Sequence, residues 1–417
     1  MPTHAKFIIF SFMKISILSI GNELLAGNTL NTNARWIAKE LSSIGCLIES
    51  QITVKDDKDS ITEGLDYCLS KKPNYLILTG GLGPTDDDIT REVLFDFFQT
   101  DSKFDTEYWN LLKDKYSRRG IAISESNKNQ ALIPKTGEIL PNLKGSDRGL
   151  KFVERDTTIF ALPGVPLEMK SMFSKTIQPQ ISKVLEDPIF TKTIRTTGIS
   201  ESYLFDTLKD MIFKKSNTIG HYPSLYGVDI RISNNDKKAI NTLANCIYEK
   251  LGNKIYAEGE TNIEKIIVNK AIELNKTISI AESCTGGLIG NRITNVSQSS
   301  KIFKGGAIVY SNKSKIDILD LDSNCLDNFG AVSRKTAKKM AENVKLKFGS
   351  SYGLSVTGIA GPTGGSKDKP VGLVYIGLAK ANNISVEKFI FGIDRESNKI
   401  RASQAALNIL RKDLFNE

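Results

Sequence analysis

The most constraining feature of this chain is a set of short apolar runs that each end at a glycine-rich turn. Tyr75–Thr79 leads directly into a pair of glycines, and the alternating segment Lys14–Ile20 ends at Gly21. Short continuous apolar runs are typical of parallel strands that are buried on both faces. Stretches with a helical apolar stripe lie between them, for instance at residues 31–41. The pattern predicts an α/β fold whose ligands lie at the carboxyl ends of the strands.

Length and turn residues predict several domains. The chain has 417 residues, and domains of roughly 100–200 residues are usual. Prolines at positions 179 and 188, with polar residues between them, place a boundary near residue 180. The expected segments are an extension at residues 1–13, an α/β domain at 14–180, a small α+β module at 181–258 and a second α/β domain at 259–417. We interpret the extension as additional sequence before the first strand, or as the result of a start codon assigned too far upstream.

The composition limits the class of ligand and the compartment. The net charge is +9, yet the basic residues form no dense block with interleaved aromatics, so small anions are favoured over nucleic acid. The five cysteines include no C-x-x-C pair, which argues against a zinc site or a disulfide framework and favours a reducing cytoplasm. No apolar run reaches the roughly 18–20 residues of a membrane span. We expect a cytoplasmic protein without membrane or nucleic-acid partners.

The segment AESCTGG, at residues 281–287, joins an expected strand to a helix. Its glycines let the backbone approach a ligand, and the N–H groups of the helix start suit an anion or an oxyanion. Ser283 and Cys284 are the nearest side chains able to attack a bound substrate. The residues alone rank the two nucleophiles equally, although a lone cysteine is more often a small apolar core residue.

The segment GGAIVYSNKSK, at residues 305–315, brings a phenol and an amine to the next expected strand end. Tyr310 and Lys315 can both face that strand end. A serine needs a base to become a nucleophile, and a desolvated lysine can serve. The two histidines are His4 and His221, so a Ser-His-Asp triad is excluded here and a Ser-Lys or Ser-Tyr-Lys arrangement remains. Taken singly, such a tyrosine is often a core residue and such a lysine a surface residue.

A third glycine-rich segment, TGIAGPTGG at residues 357–365, follows the strand expected at residues 352–357. It offers another cradle of backbone N–H groups for an anion. Arg395 and Arg401 lie before or within the last expected helix, at residues 398–414, and can clamp a phosphate. One such turn alone is most often only a turn, but three at strand ends predict a site.

These three segments resemble the signature of the CinA C-terminal domain, the nicotinamide-nucleotide amidase family, over residues 262–417. The resemblance implies that Ser283 is the nucleophile and that Tyr310 and Lys315 assist it. The implied reaction converts nicotinamide mononucleotide to nicotinate mononucleotide and ammonia in pyridine-nucleotide salvage, without a metal or other cofactor. The implied substrate contacts are Thr285, Gly286, Gly287, Thr357, Gly358, Gly361 and Arg401. Related domains often self-associate, so a homo-oligomer is expected.

Three further motifs follow expected strands in the N-terminal part of the chain. They are GNELL from Gly21, TGGLGPTDDDIT from Thr79 and LPGVPLEM from Leu162. Glycine-rich backbone can cradle phosphates, and clustered carboxylates suit a divalent cation. The alternative is that the aspartates at residues 86–88 only cap the helix expected at residues 89–98.

These motifs resemble the N-terminal CinA domain, related to molybdopterin-binding proteins of the MoaB and MogA type, over residues 14–170. The resemblance implies a three-layer α/β domain followed by the small α+β module, and hydrolysis of ADP-ribose with a divalent metal. The implied N-terminal site comprises Glu23, Gly80, Gly81, Asp87, Asp88 and Glu168, with Asp87 and Asp88 as metal ligands. The sequence departs from the family pattern at Asn22, where an aspartate is usual, and at residues 142–149, where a small-residue turn is usual.

Two other functions compete with the amidase. One is a pterin- or nucleotide-binding module with a passive C-terminal domain, and the other is a DNA-associated competence factor. Loss of Ser283, Tyr310 or Lys315 would have favoured the first, yet all three are present. The second has only weak support from the net charge of +9.

Overall fold

A computed structural model describes residues 13–212, 218–381 and 383–416. The expected extension lies, apart from Met13, outside the described residues. The chain divides into two compact units, Met1–Thr191 with Asn235–Lys237, and Lys192–Asn234 with Lys238–Glu417. Helices and strands alternate through both units, which confirms the expected α/β class.

The first unit is built on a six-stranded sheet in the order β2-β1-β3-β8-β7-β6, and a two-stranded sheet pairs β4 with β5. The strands are β1 (Lys14–Ile20), β2 (Leu47–Val54), β3 (Tyr75–Thr79), β4 (Ser102–Phe104), β5 (Leu132–Pro134), β6 (Glu138–Leu140), β7 (Gly149–Glu154) and β8 (Thr157–Leu162). The helices are α1 (Asn22–Leu25), α2 (Thr32–Ile44), α3 (Lys58–Ser70), α4 (Thr90–Phe97), α5 (Thr106–Ser117), α6 (Pro166–Met172) and α7 (Gln178–Val184). Strands β2, β1, β3 and β8 run parallel, so their carboxyl ends share one edge.

Helices cover both faces of this sheet, as expected for a three-layer domain. On one face α2, α6 and α7 pack through a core that includes Ile37, Leu41 and Met169. On the other face α3 and α4 pack through a core that includes Leu65 and Leu94. These side chains are fully or almost fully buried, and each such burial stabilises the fold by about 1.5–3 kcal/mol.

Residue 180, near which the boundary was expected, lies inside α7. α7 continues directly from a π-helical turn, Phe173–Ile177, that follows α6, so Pro179 lies inside an unbroken helical run. The proline therefore does not mark a linker.

The second unit contains two sheets. A four-stranded sheet has the order β10-β11-β9-β12, and a five-stranded sheet has the order β14-β13-β15-β16-β17. The strands are β9 (Phe190–Thr196), β10 (Thr218–Ser224), β11 (Gly227–Asn234), β12 (Ile255–Glu258), β13 (Ile278–Glu282), β14 (Phe303–Ile308), β15 (Tyr352–Gly358), β16 (Leu373–Lys380) and β17 (Asn383–Ile390). The helices are α8 (Glu201–Ile212), α9 (Lys237–Leu251), α10 (Ile263–Glu273), α11 (Leu288–Thr294), α12 (Asn312–Leu319), α13 (Ser323–Phe329), α14 (Arg334–Phe348) and α15 (Arg395–Leu414).

The five-stranded sheet positions the three C-terminal motifs. Strands β14, β13 and β15 are parallel neighbours, so the residues that follow them meet at one edge. Strands β16 and β17 continue the sheet antiparallel, and the sequence analysis did not predict β17. No helix in the described ranges is long and apolar enough to cross a membrane.

Helix α15 begins three residues before the expected start. Asp394 caps it by accepting the N–H of Ser397 at 2.8 Å, so the first helical residue is Arg395 rather than Asn398. Arg395 therefore belongs to the first turn of this helix.

Candidate active site

Ser283 and Lys315 meet at the carboxyl edge of the five-stranded sheet. Ser283 directly follows β13, and its N–H donates to the carbonyl of Val356 on β15 at 3.0 Å. Lys315 lies in the first turn of α12, which Ser311 caps by accepting the N–H of Ser314. The Lys315 Nζ donates to the Ser283 Oγ at 3.1 Å. Both side chains are buried, with Ser283 7% and Lys315 1% exposed.

The surroundings of Lys315 lower the pKa of its amine. Its ammonium donates to the carbonyl oxygens of Val309 at 2.9 Å and Tyr310 at 3.2 Å, and to no carboxylate of a described residue. Burial lowers the pKa of Lys315 below its ordinary value, because desolvation penalises the charged form. A lysine held in this way against a hydroxyl can act as its base.

Cys284 lies beside the pair but is poorly suited to attack. Its side chain is 5% exposed, and burial raises the pKa of the thiol to about 12. The thiolate is the nucleophilic form of cysteine, and it is scarce at neutral pH with such a pKa. The sequence left Ser283 and Cys284 open, and this geometry favours Ser283.

Glu282, which the sequence analysis did not single out, occupies the helix start. Its carboxylate accepts the N–H groups of Gly287 at 3.0 Å, Ile289 at 3.2 Å and Gly290 at 2.9 Å. The N–H of Gly286 donates to the Ser283 carbonyl at 3.1 Å. The expectation that Gly286 and Gly287 hold an oxyanion is therefore wrong, because their N–H groups are already engaged.

Two N–H groups of the serine loop remain for a ligand. The backbone N–H groups of Cys284 and Thr285 donate to no carbonyl in the described ranges. The side chain of Thr285 is fully buried, and its Oγ1 has no hydrogen-bond partner among the described residues. Buried donors without partners are costly, so a ligand oxygen here would satisfy them.

Tyr310 contacts Arg395 rather than Lys315 through its hydroxyl. The ring is 58% exposed, and the hydroxyl accepts from an Arg395 Nη atom at 2.5 Å. The other Nη atom of Arg395 donates to the carbonyl of Gly361 at 2.9 Å. Arg395 thus connects the second and third motifs, and Tyr310 reaches Lys315 only through its main-chain carbonyl.

Lys399, one turn after Arg395 on α15, is a second cation at this edge. Its Nζ lies 3.9 Å from the position that a Cβ on Gly286 would take. It forms no ion pair or hydrogen bond with another residue that the structure describes. The spacing of four residues from Arg395, which places both on one helix face, was the available sequence signal.

Arg401, the expected basic contact, is not at this edge. It lines a separate cleft of the second unit together with residues of β17 and of the four-stranded sheet module. The expectation rested on the family resemblance. Arg401 lies six residues after Arg395 and two after Lys399, so it projects from a different face of α15.

The remaining expected contacts shape the third motif. Thr357 is 1% exposed and its hydroxyl donates to the Ala331 carbonyl at 2.7 Å, so it holds a loop rather than presenting a free hydroxyl. Gly361 has a φ of +90°, and a Cβ there would lie 2.5 Å from a methyl of Val371. Gly358 is equally crowded, since a Cβ would lie 2.6 Å from the Leu373 carbonyl oxygen.

In the first unit, Gly80 and Gly81 form the turn after β3. Both have positive φ angles, +116° and +66°. A Cβ at Gly80 would overlap the carbonyl oxygen of Ile20 at the end of β1. The turn therefore depends on glycine for the close approach of two strand ends.

Asp56, which follows β2, is a carboxylate that the sequence analysis missed. It accepts the N–H of Asn22 at 2.8 Å. Burial raises the pKa of Asp56, and the charges of Glu23, Asp87 and Asp88 raise it further. Three of the expected acids thus lie near one another. The parallel pairing of β2 with β1 places Asp56 at the same edge.

These acids do not fit the expected metal clamp. Asp88 accepts the N–H of Thr85 at 3.0 Å and its hydroxyl at 2.5 Å, so it stabilises the turn before α4. Glu168 accepts from the amide of Asn142. No group of three or more His, Cys, Asp or Glu side chains within the described ranges could hold a metal ion. Asp87 and Asp88 therefore do not form a ready-made metal clamp.

Two charged residues of the loop that departs from the family pattern, Asp147 and Arg148, are buried and paired with residues outside the loop. Arg148 forms an ion pair with Asp105 at 2.7 Å, and its guanidinium lies 3.6 Å from the ring centroid of Tyr108. Asp147 accepts from the amide of Gln130, and burial raises the pKa of Asp147 to about 6. Both charged side chains are 8% exposed, so the loop's bulk fills the protein interior.

Comparison with known proteins covers nearly the whole chain. The family models described as CinA C-terminal domain, Probable molybdopterin binding domain and Damage-inducible protein CinA KH domain match residues 260–414, 16–183 and 191–257 respectively. The competence/damage inducible protein CihA from Agrobacterium tumefaciens, a solved structure, is 36% identical and covers 37% of this chain and 96% of its own, with a TM-score of 0.36.

Two curated relatives are similar over nearly their full length. A CinA-like protein of Dictyoglomus turgidum is 38% identical over 411 residues, which is 97% of this chain and 100% of the relative. A putative competence-damage inducible protein of Caldicellulosiruptor bescii is 38% identical over 412 residues, with coverage of 97% and 100%. This similarity confirms the family that the motifs indicated, and the chain belongs to the CinA family.

Proposed function

We propose that the second unit hydrolyses the carboxamide of nicotinamide mononucleotide to nicotinate mononucleotide and ammonia. The observation that carries the proposal is the buried Lys315 Nζ at 3.1 Å from the Ser283 Oγ. A hydroxyl paired with a desolvated amine is suited to acyl transfer without a histidine.

The reaction would begin with proton transfer from the Ser283 Oγ to the neutral amine of Lys315. The oxygen attacks the carboxamide carbon, and the N–H groups of Cys284 and Thr285 stabilise the negative charge on the carbonyl oxygen. Lys315 returns the proton to the amide nitrogen, the C–N bond breaks and ammonia leaves. Water then attacks the acyl-enzyme with Lys315 again as base, which releases the acid and restores Ser283.

The cations on α15 suit a substrate that carries a phosphate. Arg395 and Lys399 lie on the helix face that borders the serine loop. A guanidinium and an ammonium group beside the serine loop favour a nucleotide, which carries a phosphate, over free nicotinamide. We place the activity in the cytoplasm, and all five cysteines are free, which is consistent with a reducing compartment.

The proposal is tested by ammonia release from nicotinamide mononucleotide, with nicotinamide as the control substrate, using the full chain. We expect the nucleotide to be the better substrate. Ser283→Ala should lower kcat by at least about 10³-fold, because covalent catalysis is lost. Cys284→Ala is the matched control and should retain activity within about twofold.

Two results would overturn the assignment. One is a serine variant as active as the wild type. The other is loss of activity in the cysteine variant alone, with the Ser283→Ala protein unaffected. Absence of ammonia release from the nucleotide by a folded wild-type chain would reject the activity itself.

A further inference from the structure

A cleft of about 740 Å³ lies in the second unit, away from the serine loop. One wall consists of the loop after β9 and the β10–β11 turn, and the other consists of β17 and the outer face of α15. Ligand pockets commonly enclose about 300–1,000 Å³ and often lie between substructures. The size therefore suits one small organic ligand.

Three cations line the cleft without a protein partner. Lys254, Arg401 and Lys412 form no ion pair or side-chain hydrogen bond with another residue in the described part of the chain. Lys254 and Lys412 are half-buried, whereas the acids that also line the cleft, Glu201 and Glu387, are exposed. A partly desolvated cation without a counter-ion favours an anionic ligand.

The wall formed by β17 is aromatic. Phe389 and Phe391 stack with their ring centroids 5.6 Å apart and their planes 6° from parallel. Both rings are half-buried, and Tyr226 from the opposite wall is 41% exposed. A flat, partly exposed aromatic surface suits a planar ring of the ligand.

A buried amide faces the same cleft. Asn408 is 8% exposed, and its carbonyl oxygen accepts from Arg411 at 3.1 Å. Its Nδ2 lies 3.7 Å from the position of a Cβ on Gly198 and donates no hydrogen bond to any residue that the structure describes. The amide nitrogen is therefore available to a ligand acceptor in the cleft.

We propose that this cleft binds a nucleotide as a second ligand site. The phosphate would lie on Lys254 and Lys412, the base against Phe389 and Phe391 at the end of the cleft that Arg401 borders, and the Asn408 amide would donate to a polar atom of the ligand. The site is separate from the serine loop, because α15 directs Arg395 and Lys399 to that loop and Arg401 and Lys412 to the cleft. The inference does not depend on the amidase proposal.

The test is photolabelling of the full chain with an azido derivative of AMP, followed by peptide mapping. We expect label in peptides that contain residues 197–201 or 387–391. The double variant Lys254→Gln/Lys412→Gln should lose at least about fivefold of this label, because two charge-assisted contacts are removed. Lys388→Gln, which points to the other face of β17, should label like the wild type.

Competition with unlabelled ligands separates the contribution of the phosphate to binding from that of the base. AMP should protect the cleft peptides at lower concentration than adenosine, because adenosine lacks the anion. The proposal is overturned if the cleft peptides carry no label, if the double variant labels as strongly as the wild type, or if adenosine protects as well as AMP. Since the serine-loop peptides are mapped separately, failure here leaves the amidase proposal untouched.

Discussion

Lys315 and Arg148 are both buried cations next to a glycine-containing loop, one in each unit, and their partners differ. Arg148 has a carboxylate at 2.7 Å and an aromatic face, so its charge is matched inside the protein. Lys315 has backbone carbonyls and a serine hydroxyl, and burial lowers its pKa. A buried cation with a matching charge stabilises a loop, whereas one without it is prepared to lose a proton.

Replacement of Lys315 should show the largest effect. Lys315→Met keeps the side-chain volume and removes the base, so we expect kcat for ammonia release to fall by about 10³-fold or more. Unfolding free energy should change by less than about 2 kcal/mol, because removing a buried charge offsets the lost hydrogen bonds. Lys313→Met is the matched control, since that side chain is 87% exposed. If Lys315→Met keeps more than a tenth of the wild-type activity, Lys315 is not the base and the contrast with Arg148 fails.

The opposite behaviour is expected for Arg148. Arg148→Ala leaves the partly buried Asp105 unpaired and should destabilise the first unit by about 3 kcal/mol. Both tryptophans, Trp36 and Trp109, belong to this unit, so their fluorescence during urea unfolding reports it selectively.

Exposed Arg119 provides the control, and Arg119→Ala should leave the same transition unchanged. Ammonia release per folded molecule should stay within about twofold for both arginine variants. If Arg148→Ala unfolds like the wild type, the pairing of Arg148 contributes no stability and the comparison fails.

The cations of α15 should show a smaller effect, on binding. Arg395→Met or Lys399→Met should raise KM for nicotinamide mononucleotide about 10–100-fold, as for a lost charge-assisted contact to phosphate. Arg401→Met should change KM less than about twofold, because Arg401 faces away from the serine loop. Separate kcat and KM values decide the point, and a larger KM effect for Arg401 would restore the original sequence-based assignment.

The smallest expected effect is the change in kcat/KM for each small step in pH. Only neutral Lys315 can accept a proton, so kcat/KM should rise about tenfold per pH unit up to the lowered pKa. This limb should end below about 10.4, the ordinary lysine value. Folding lowers this pKa, so the unfolded chain binds the proton more tightly and stability rises with pH between the two values. A rate profile measured from about pH 6 to about pH 10 that is flat would exclude Lys315 as the base.

Elements with strong local signals were predictable. The apolar run of β3 and the alternation of β1 match their observed bounds. Parallel strand ends gather their following residues at one edge, so the approach of Ser283 to Lys315 followed from fold class and motif order.

What failed depends on long-range contacts or on a single capping residue. Asp394 is an ordinary cap signal, and missing it moved the expected helix start by three residues. Arg401 was assigned from the family resemblance, and only the three-dimensional structure shows that Lys399 lies at the serine loop instead. An acid before the serine carries no pattern that distinguishes a capping Glu282 from a substrate contact. The pairing of Arg148 with Asp105, 43 positions away, is set by tertiary structure and has no local signature.

The carboxylate of Glu282 gives the helix that follows the serine loop its own permanent counter-ion. Free sulfate or phosphate would have to displace this carboxylate, which belongs to the chain itself, before it could bind and inhibit at that helix start. Inhibitor chemistry aimed at this protein should therefore combine an electrophilic carbonyl for the serine with an acidic tail directed at the arginine and lysine of the last helix.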